Sequence, residues 1–232
     1  MSRSPVIVLT NDDGIDAPGL AALERAAAGL GRIVVVAPAE CHSGGSHRVT
    51  THRPIVVRDA GKDRHAVEGT PADCTRLALS RIAPEAAIVL AGINAGGNLG
   101  VDVCLSGTVA AAREAALHGR RAVAASQYRG RGTTIDWDRA AGWLAPVLAE
   151  LLAGPREAGS FWNVNLPAEP PVGRSPVALE CPVDPSPFAL DFADTPEGWH
   201  WAADYHLRPR LARHDVEVCF GGDIAVSRLR VV

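Results

Sequence analysis

Apolar residues in this chain come in short β-branched runs separated by Ala-rich helical stretches. The runs Val6–Thr10 (VIVLT) and Arg32–Pro38 (RIVVVAP), with residues 86–93 (AAIVLAGI) and 121–126 (RAVAAS), have the length and texture of buried strands. Between them lie Leu20–Leu30, Pro71–Ile82, Thr108–His118 and Trp137–Leu152, each read as a helix. Thr70 is placed to cap the second of these, with Pro71 at its first position and Asp73 in its first turn. Gly119 is the expected end of the third. Pro54–Arg58 and His65–Glu68 read as short strands paired with each other. The alternation predicts an α/β fold with a doubly wound, mostly parallel sheet.

Past residue 153 the pattern changes. Prolines become frequent and helical periodicity fades. FWNVNLP (161–167) gives one more strand, residues 168–213 read as irregular structure and hairpins, and VEVCFGGDIAVSRLRVV reads as two strands across Gly221–Gly222. Residues 1–167 are therefore assigned to the core. Residues 168–232 are assigned to a C-terminal arm and hairpin that belong to the same domain. The arm shows no core of its own yet carries Trp199, Trp201, Tyr205 and Phe220. Exposed aromatics on an extended arm need a partner surface, so the arm is expected to form a homodimer or homotetramer.

With 232 residues, 47% of them hydrophobic and 21% charged, the chain can bury a full core. A net charge of −3 and the absence of a Lys/Arg-rich run exclude an obvious nucleic-acid polymer partner. No apolar stretch reaches membrane-spanning length, and MSRSPVIVLT runs straight into a strand without a leader pattern. The five cysteines are widely spaced and lack a C-x-x-C pair, which predicts core fillers in a reducing cytoplasm.

The candidate chemistry sits at strand ends. Asn11-Asp12-Asp13-Gly14 follows the first strand, where ligands bind in open α/β sheets. Adjacent carboxylates without a basic neighbour repel unless a cation joins them, although an Asp turn or helix cap is the plainer reading of the same residues. His42-Ser43-Gly44-Gly45-Ser46 follows the second strand. GINAGGNLG (92–100) follows another and offers Asn94 and Asn98 among glycines; it has neither Walker nor dinucleotide-fingerprint spacing. Ser106-Gly107-Thr108 opens a helix, where an anion can bind or a plain N-cap can sit. Two acids, a Ser and an Asn make an all-oxygen donor set suited to Mg²⁺ or Mn²⁺. With an anion-binding helix start beside it, that set points to hydrolysis of a phosphate ester. A serine hydrolase is disfavoured because no G-x-S-x-G elbow is present.

VIVLTNDDGIDAPGL, VVVAPAECHSGGSHRVT, GTPADCTRLAL, AGINAGGNLGVDVCLSGTVAAAREAALHG and NVNLP occur in this order, and the chain resembles the survival protein SurE family. The resemblance implies a Rossmann-like three-layer fold, C-terminal elements exchanged between subunits, and a divalent-metal-dependent phosphatase acting on nucleoside 5′- or 3′-monophosphates. It implies one Mg²⁺ or Mn²⁺ per subunit, held by Asp12, Asp13, Ser43 and Asn94. Asn98, Ser106, Gly107 and Thr108 would hold the phosphate, with Asp12, Asp13, Asn98, Ser106 and Thr108 forming the catalytic set. Departures from the family pattern are Leu105, where an aromatic residue is usual, and GDIAVSRL (222–229) near the end. The divergent tail keeps open another phosphorylated small molecule as substrate; nucleotide binding without turnover is the remaining alternative, against which the intact Asp12, Asp13, Ser43 and Asn94 stand.

Overall fold

The computed structural model describes residues 4–231; Met1–Arg3 and Val232, which include the expected leaderless start and the last residue of the arm, lie outside the described residues. The elements are β1 (Val6–Thr10), α1 (Pro18–Ala26), β2 (Arg32–Pro38), β3 (Val57–Asp59), β4 (Arg64–Val67), α2 (Pro71–Leu77), β5 (Ile88–Ala95), α3 (Gly107–Leu117), β6 (Arg121–Gln127), α4 (Trp137–Ala153) and β7 (Ser160–Leu166). They are followed by β8 (Ala178–Glu180), β9 (Phe192–Thr195), β10 (Gly198–Trp201), α5 (Asp215–Phe220) and β11 (Ile224–Arg230).

Nine strands form one sheet in the order β3-β4-β2-β1-β5-β6-β7-β11-β8. From β4 to β7 neighbouring strands are parallel, whereas β3 and β11 run antiparallel to β4 and β7. Successive side chains on a strand face opposite sides. Ile7, Leu9, Leu90 and Val123 therefore pack with Leu20, Leu23, Leu144 and Leu148 of α1 and α4. Val8, Val89, Ala122 and Ala124 pack with Cys74 of α2 and the alanines of α3 on the other side. This is the three-layer α/β fold. The chain leaves β1 toward β2 on one side and leaves β5 toward β6 on the other. The carboxyl ends of β1 and β5 thus flank the switch point of the sheet, where a crevice opens.

Several boundaries differ from the sequence reading. Helix α1 starts at Pro18 and stops at Ala26, ahead of a turn in which Gly29 takes φ of +82°. The Pro71–Ile82 helix holds α geometry only to Leu77 and ends as one wide turn, closed by the Ala83 N–H donating to Ala78 O at 2.8 Å, just before Pro84. Strand β5 runs on through Asn94 and Ala95, with an irregular register between Ala91 and Asn94, so the start of the expected loop lies in the strand.

The larger correction is at the C-terminus. The segment 216–230 is not a pair of strands: Asp215–Phe220 is a short helix and only Ile224–Arg230 is a strand. The alternation in VEVCF suits a strand, but one helical turn buries Val216 and Cys219 together. The Asp215 carboxylate also anchors that turn, accepting from the N–H groups of Gly100, Asp184 and Val216 at 2.8, 2.8 and 2.9 Å. Strands β8 and β11 complete the main sheet, so the segment that stands off the body is centred on the β9–β10 hairpin. Trp199 and Trp201 there are exposed, as expected. Tyr205 and Phe220 are not: they are half-buried around Tyr128, whose ring stacks on Phe220 with centroids 4.2 Å apart.

Candidate active site

The crevice at the β1/β5 switch point is an open cavity of about 250 Å³ lined by Asp12, Asp13, Ser43, Asn94, Asn98 and Ser106, with Asp102, Leu105 and Tyr205 completing its wall. Four sequence-distant loops meet here, and they are fastened to one another. The His42 N–H donates to Asp12 O at 2.7 Å, bringing the Ser43 loop against the β1 tip. Ser46 then ties that loop to the start of α3: its N–H donates to Leu105 O at 3.0 Å and its Oγ to Cys104 O at 2.8 Å.

Asp12 is 4% exposed. Burial, with the neighbouring Asp13 charge adding to it, pushes its carboxyl up to about 6 even though the Thr108 hydroxyl donates to Oδ1. Asp13 is raised as well, again by burial, while its Oδ2 accepts the Ala95 N–H at 3.1 Å. Among the described residues no Lys, Arg or His ion-pairs with either carboxylate. Two adjacent carboxyl groups, one buried and one half-buried, without a counter-charge are chemically suited to cradle a cation.

The donor set bears on which kind of cation would fit. Among the described residues no group of three or more His, Cys, Asp or Glu side chains could hold a metal ion. A cation here would draw on two carboxylates and on neutral oxygens, and Ser43 and Asn94 supply those at the rim. The Asn94 amide N–H donates to Gly96 O at 2.8 Å, which leaves the side-chain oxygen as its free end. An all-oxygen set of this kind fits Mg²⁺ or Mn²⁺ and suits zinc or copper poorly.

Asn98 is locked from several sides. Its N–H donates to Asn165 Oδ1 at 2.8 Å, its Nδ2 to Ser126 Oγ at 2.7 Å, and its carbonyl accepts from Asn163 and Asn165. Ser106 caps α3, accepting the Val109 N–H on its Oγ at 3.0 Å, so its own hydroxyl proton remains free to donate into the cavity. Gly107 and Thr108 stand behind Asp12 rather than at the cavity surface. A Cβ on Gly107 would come within 2.9 Å of Asp12 Cβ and Oδ2, and the Thr108 hydroxyl is engaged by the carboxylate. Thr70 and Asp73, in contrast, form a reciprocal capping box, which is the plain structural role expected of them.

Sequence reasoning missed three contributors. Asp102 and Tyr205 line the cavity, and Tyr205 arrives from a segment whose pattern carries no periodic signal. Glu114 is 1% exposed inside α3. Its oxygens take His47 Nε2 at 2.7 Å, Arg76 Nε at 2.6 Å and His118 Nε2 at 2.9 Å, so it pins the far end of the Ser43 loop through His47. A lone glutamate among the alanines of α3 was the one available signal for it.

Relatives share this framework. A Nostoc protein provisionally named 5′-nucleotidase alr3139 is 48% identical over 225 residues, covering 97% of this chain and 99% of its own. The 5′-nucleotidase SurE 1 of Burkholderia lata is 45% identical over 167 residues, covering 71% of this chain and 64% of its own. The crystal structure of the SurE protein from Aquifex aeolicus superposes with a TM-score of 0.87 at 30% identity, covering 98% of this chain and 94% of that one. The family profile for survival protein SurE matches residues 7–179, which span β1 to β8 and every cavity residue except Tyr205, and the chain belongs to the SurE family.

Proposed function

We propose that the protein is a divalent-metal-dependent phosphomonoesterase that hydrolyses nucleoside 5′- or 3′-monophosphates. The observation that carries this reading is the uncompensated Asp12–Asp13 pair meeting Ser43, Asn94, Asn98 and Ser106 in one crevice at the head of α3. Relatives in the family are named 5′-nucleotidases, which are phosphomonoester hydrolases.

Asp12, Asp13, Ser43 and Asn94 would hold one Mg²⁺ or Mn²⁺ per subunit. When bound, that cation supplies Lewis-acid activation of the phosphoryl group and of the attacking water. The protein's own part is positional. Ser106 donates its hydroxyl to a phosphoryl oxygen, and the start of α3 adds the positive end of its dipole. Asn98, fixed by Asn163, Asn165 and Ser126, keeps its amide at the phosphate end without reorganisation. Thr108 acts through Asp12, holding one of its carboxylate oxygens in place. Gly107 lets the helix approach that carboxylate closely.

Another small phosphomonoester is the second reading. It rests on the matches to proteins named 5′-nucleotidase SurE extending over only 167 and 171 residues, while Tyr205 of the cavity wall lies beyond the family match. The exposed β9–β10 hairpin, with Trp199, Trp201 and Phe192, supports assembly into a homodimer or homotetramer. Among the described residues no helix is long and apolar enough to cross a membrane. The five cysteines are free thiols.

The test is phosphate release from nucleoside monophosphates, sugar phosphates and polyphosphate, with Mn²⁺, with Mg²⁺ and with chelator. Turnover led by nucleoside monophosphates and abolished by chelation is expected. Turnover that survives chelation would overturn the metal-dependent mechanism, and a clear preference for sugar phosphates would favour the second reading.

A further inference from the structure

The glycines of the β5–α3 loop make room for side chains from the other end of the chain. A Cβ on Gly97 would sit 3.2 Å from the Tyr205 hydroxyl, and one on Gly100, whose φ is +56°, would sit 2.9 Å from an Arg208 Nη and 3.0 Å from Asp184 O. Through those gaps Tyr205 reaches the cavity wall. Its hydroxyl donates to Asp102 Oδ2 at 3.1 Å and lies 3.4 Å from Gly97 O. Arg208 donates to the same Asp102 oxygen at 2.5 Å and stacks its guanidinium 5.1 Å from the centroid of the Tyr205 ring. The Arg208–Asp102 pair is largely buried, with side chains 9% and 14% exposed. The tyrosine is thus held at its hydroxyl and on one face of its ring. Tyr205 lines the cavity together with Leu105, which is 53% exposed.

The cavity wall is therefore of two kinds. The carboxylates Asp12 and Asp13, two amides and two serines make up one part of its lining. An exposed leucine and a fixed tyrosine, the latter held by Asp102, make up another part, and Tyr205 also borders a second cleft of about 330 Å³ lined by Phe188, Trp201 and Leu207. A substrate whose phosphate lies against Asp12 and Asp13 can place its leaving group against Leu105 and Tyr205 of the same cavity. Apolar and aromatic walls with a few polar groups are what a flat heteroaromatic group packs against.

We propose that Tyr205 is a specificity-determining residue that packs against the nucleobase of the substrate, with Asp102 and Arg208 as the positioning residues that hold its ring. This rests on the phosphomonoesterase reading and adds to it the group that selects the leaving half of the ester. It also assigns to the C-terminal segment a part in the site, since Tyr205 and Arg208 both lie beyond the family match at residue 179.

The experiment compares kcat/KM for a nucleoside monophosphate with kcat/KM for ribose 5-phosphate, which has the same phosphoryl ester but no base. Base–aromatic stacking of ordinary strength predicts that Tyr205→Ala lowers the nucleotide-to-ribose-phosphate ratio by about tenfold, mostly through KM for the nucleotide. Tyr205→Trp keeps the ratio within about threefold of wild type, because the π-face is retained, and it serves as the informative variant if the alanine protein fails to fold. A ratio unchanged in Tyr205→Ala, or lowered equally by Trp and Ala, overturns the inference while leaving the phosphatase reading intact. A wild-type protein that hydrolyses neither ester with any divalent cation refutes the phosphatase reading, and the inference falls with it.

Discussion

Glu114→Gln is the most informative single change outside the cavity. Burial alone would raise the Glu114 carboxyl, but hydrogen bonds from His47, Arg76 and His118, with the Arg76 charge, outweigh it and hold the group at about 2 against an ordinary value of 4.5. That displacement corresponds to about 3 kcal/mol favouring the ionised form in the folded protein. Glutamine keeps the shape but loses the charge, and it turns an N–H₂ toward donors that then have no acceptor. Urea unfolding at pH 7, followed by tryptophan fluorescence, should show the variant about 3 kcal/mol less stable. The carboxyl is depressed in the folded state, so its contribution is complete above the unfolded value of 4.5 and is lost as pH falls toward about 2. The gap between wild type and variant should therefore narrow by about 1 kcal/mol at pH 4 and about 2 kcal/mol at pH 3. A gap under about 1 kcal/mol at pH 7, or one that does not change between pH 7 and pH 3, would refute this account of Glu114. Because His47 ends the loop that carries Ser43, the variant should also bind Mn²⁺ more weakly.

Three further outcomes follow from the site geometry. Thr108→Val removes the hydroxyl that lowers the Asp12 pKa, so half-maximal Mn²⁺ binding should move to higher pH and kcat/KM should fall by about 10- to 100-fold; an unchanged pH profile would show that the Thr108 bond has no part in holding Asp12. Gly107→Ala places a Cβ within 2.9 Å of Asp12, so phosphate release should be nearly lost while circular dichroism stays close to wild type. Light scattering at low concentration should find a dimer or tetramer that Trp199→Ser with Trp201→Ser dissociates, since Trp199 is 81% exposed on the hairpin; an active wild-type monomer would defeat this.

The parallel half of the fold was legible because its strands are buried on both faces and read as apolar runs with clear punctuation. VIVLT and RIVVVAP fall on β1 and β2 with the expected bounds. The cavity was legible for a related reason: strand tips gather at the switch point, so residues after β1, β2 and β5 had to meet. The C-terminal segment was not, because its structure depends on partners distant in sequence. Helix α5 is held by an Asp215 carboxylate bound to Gly100 and Asp184, and nothing in VEVCF announces those contacts. The position of Tyr205 likewise depends on Gly97 and Asp102, which local propensity cannot register. Thr108 carried an ambiguity of another kind: a hydroxyl at a helix start can face an anion or a neighbouring side chain, and only the packing of α3 against β1 selects Asp12.

The central claim is that Asp12 and Asp13 hold a catalytic divalent cation. Titration of Mn²⁺ into the metal-free protein, read by calorimetry and by the electron paramagnetic resonance of free Mn²⁺, tests it without reliance on any substrate. The account predicts one ion bound per subunit by wild type and loss of that binding in Asp13→Asn, with the fold retained. Equal Mn²⁺ binding by wild type and Asp13→Asn would contradict it.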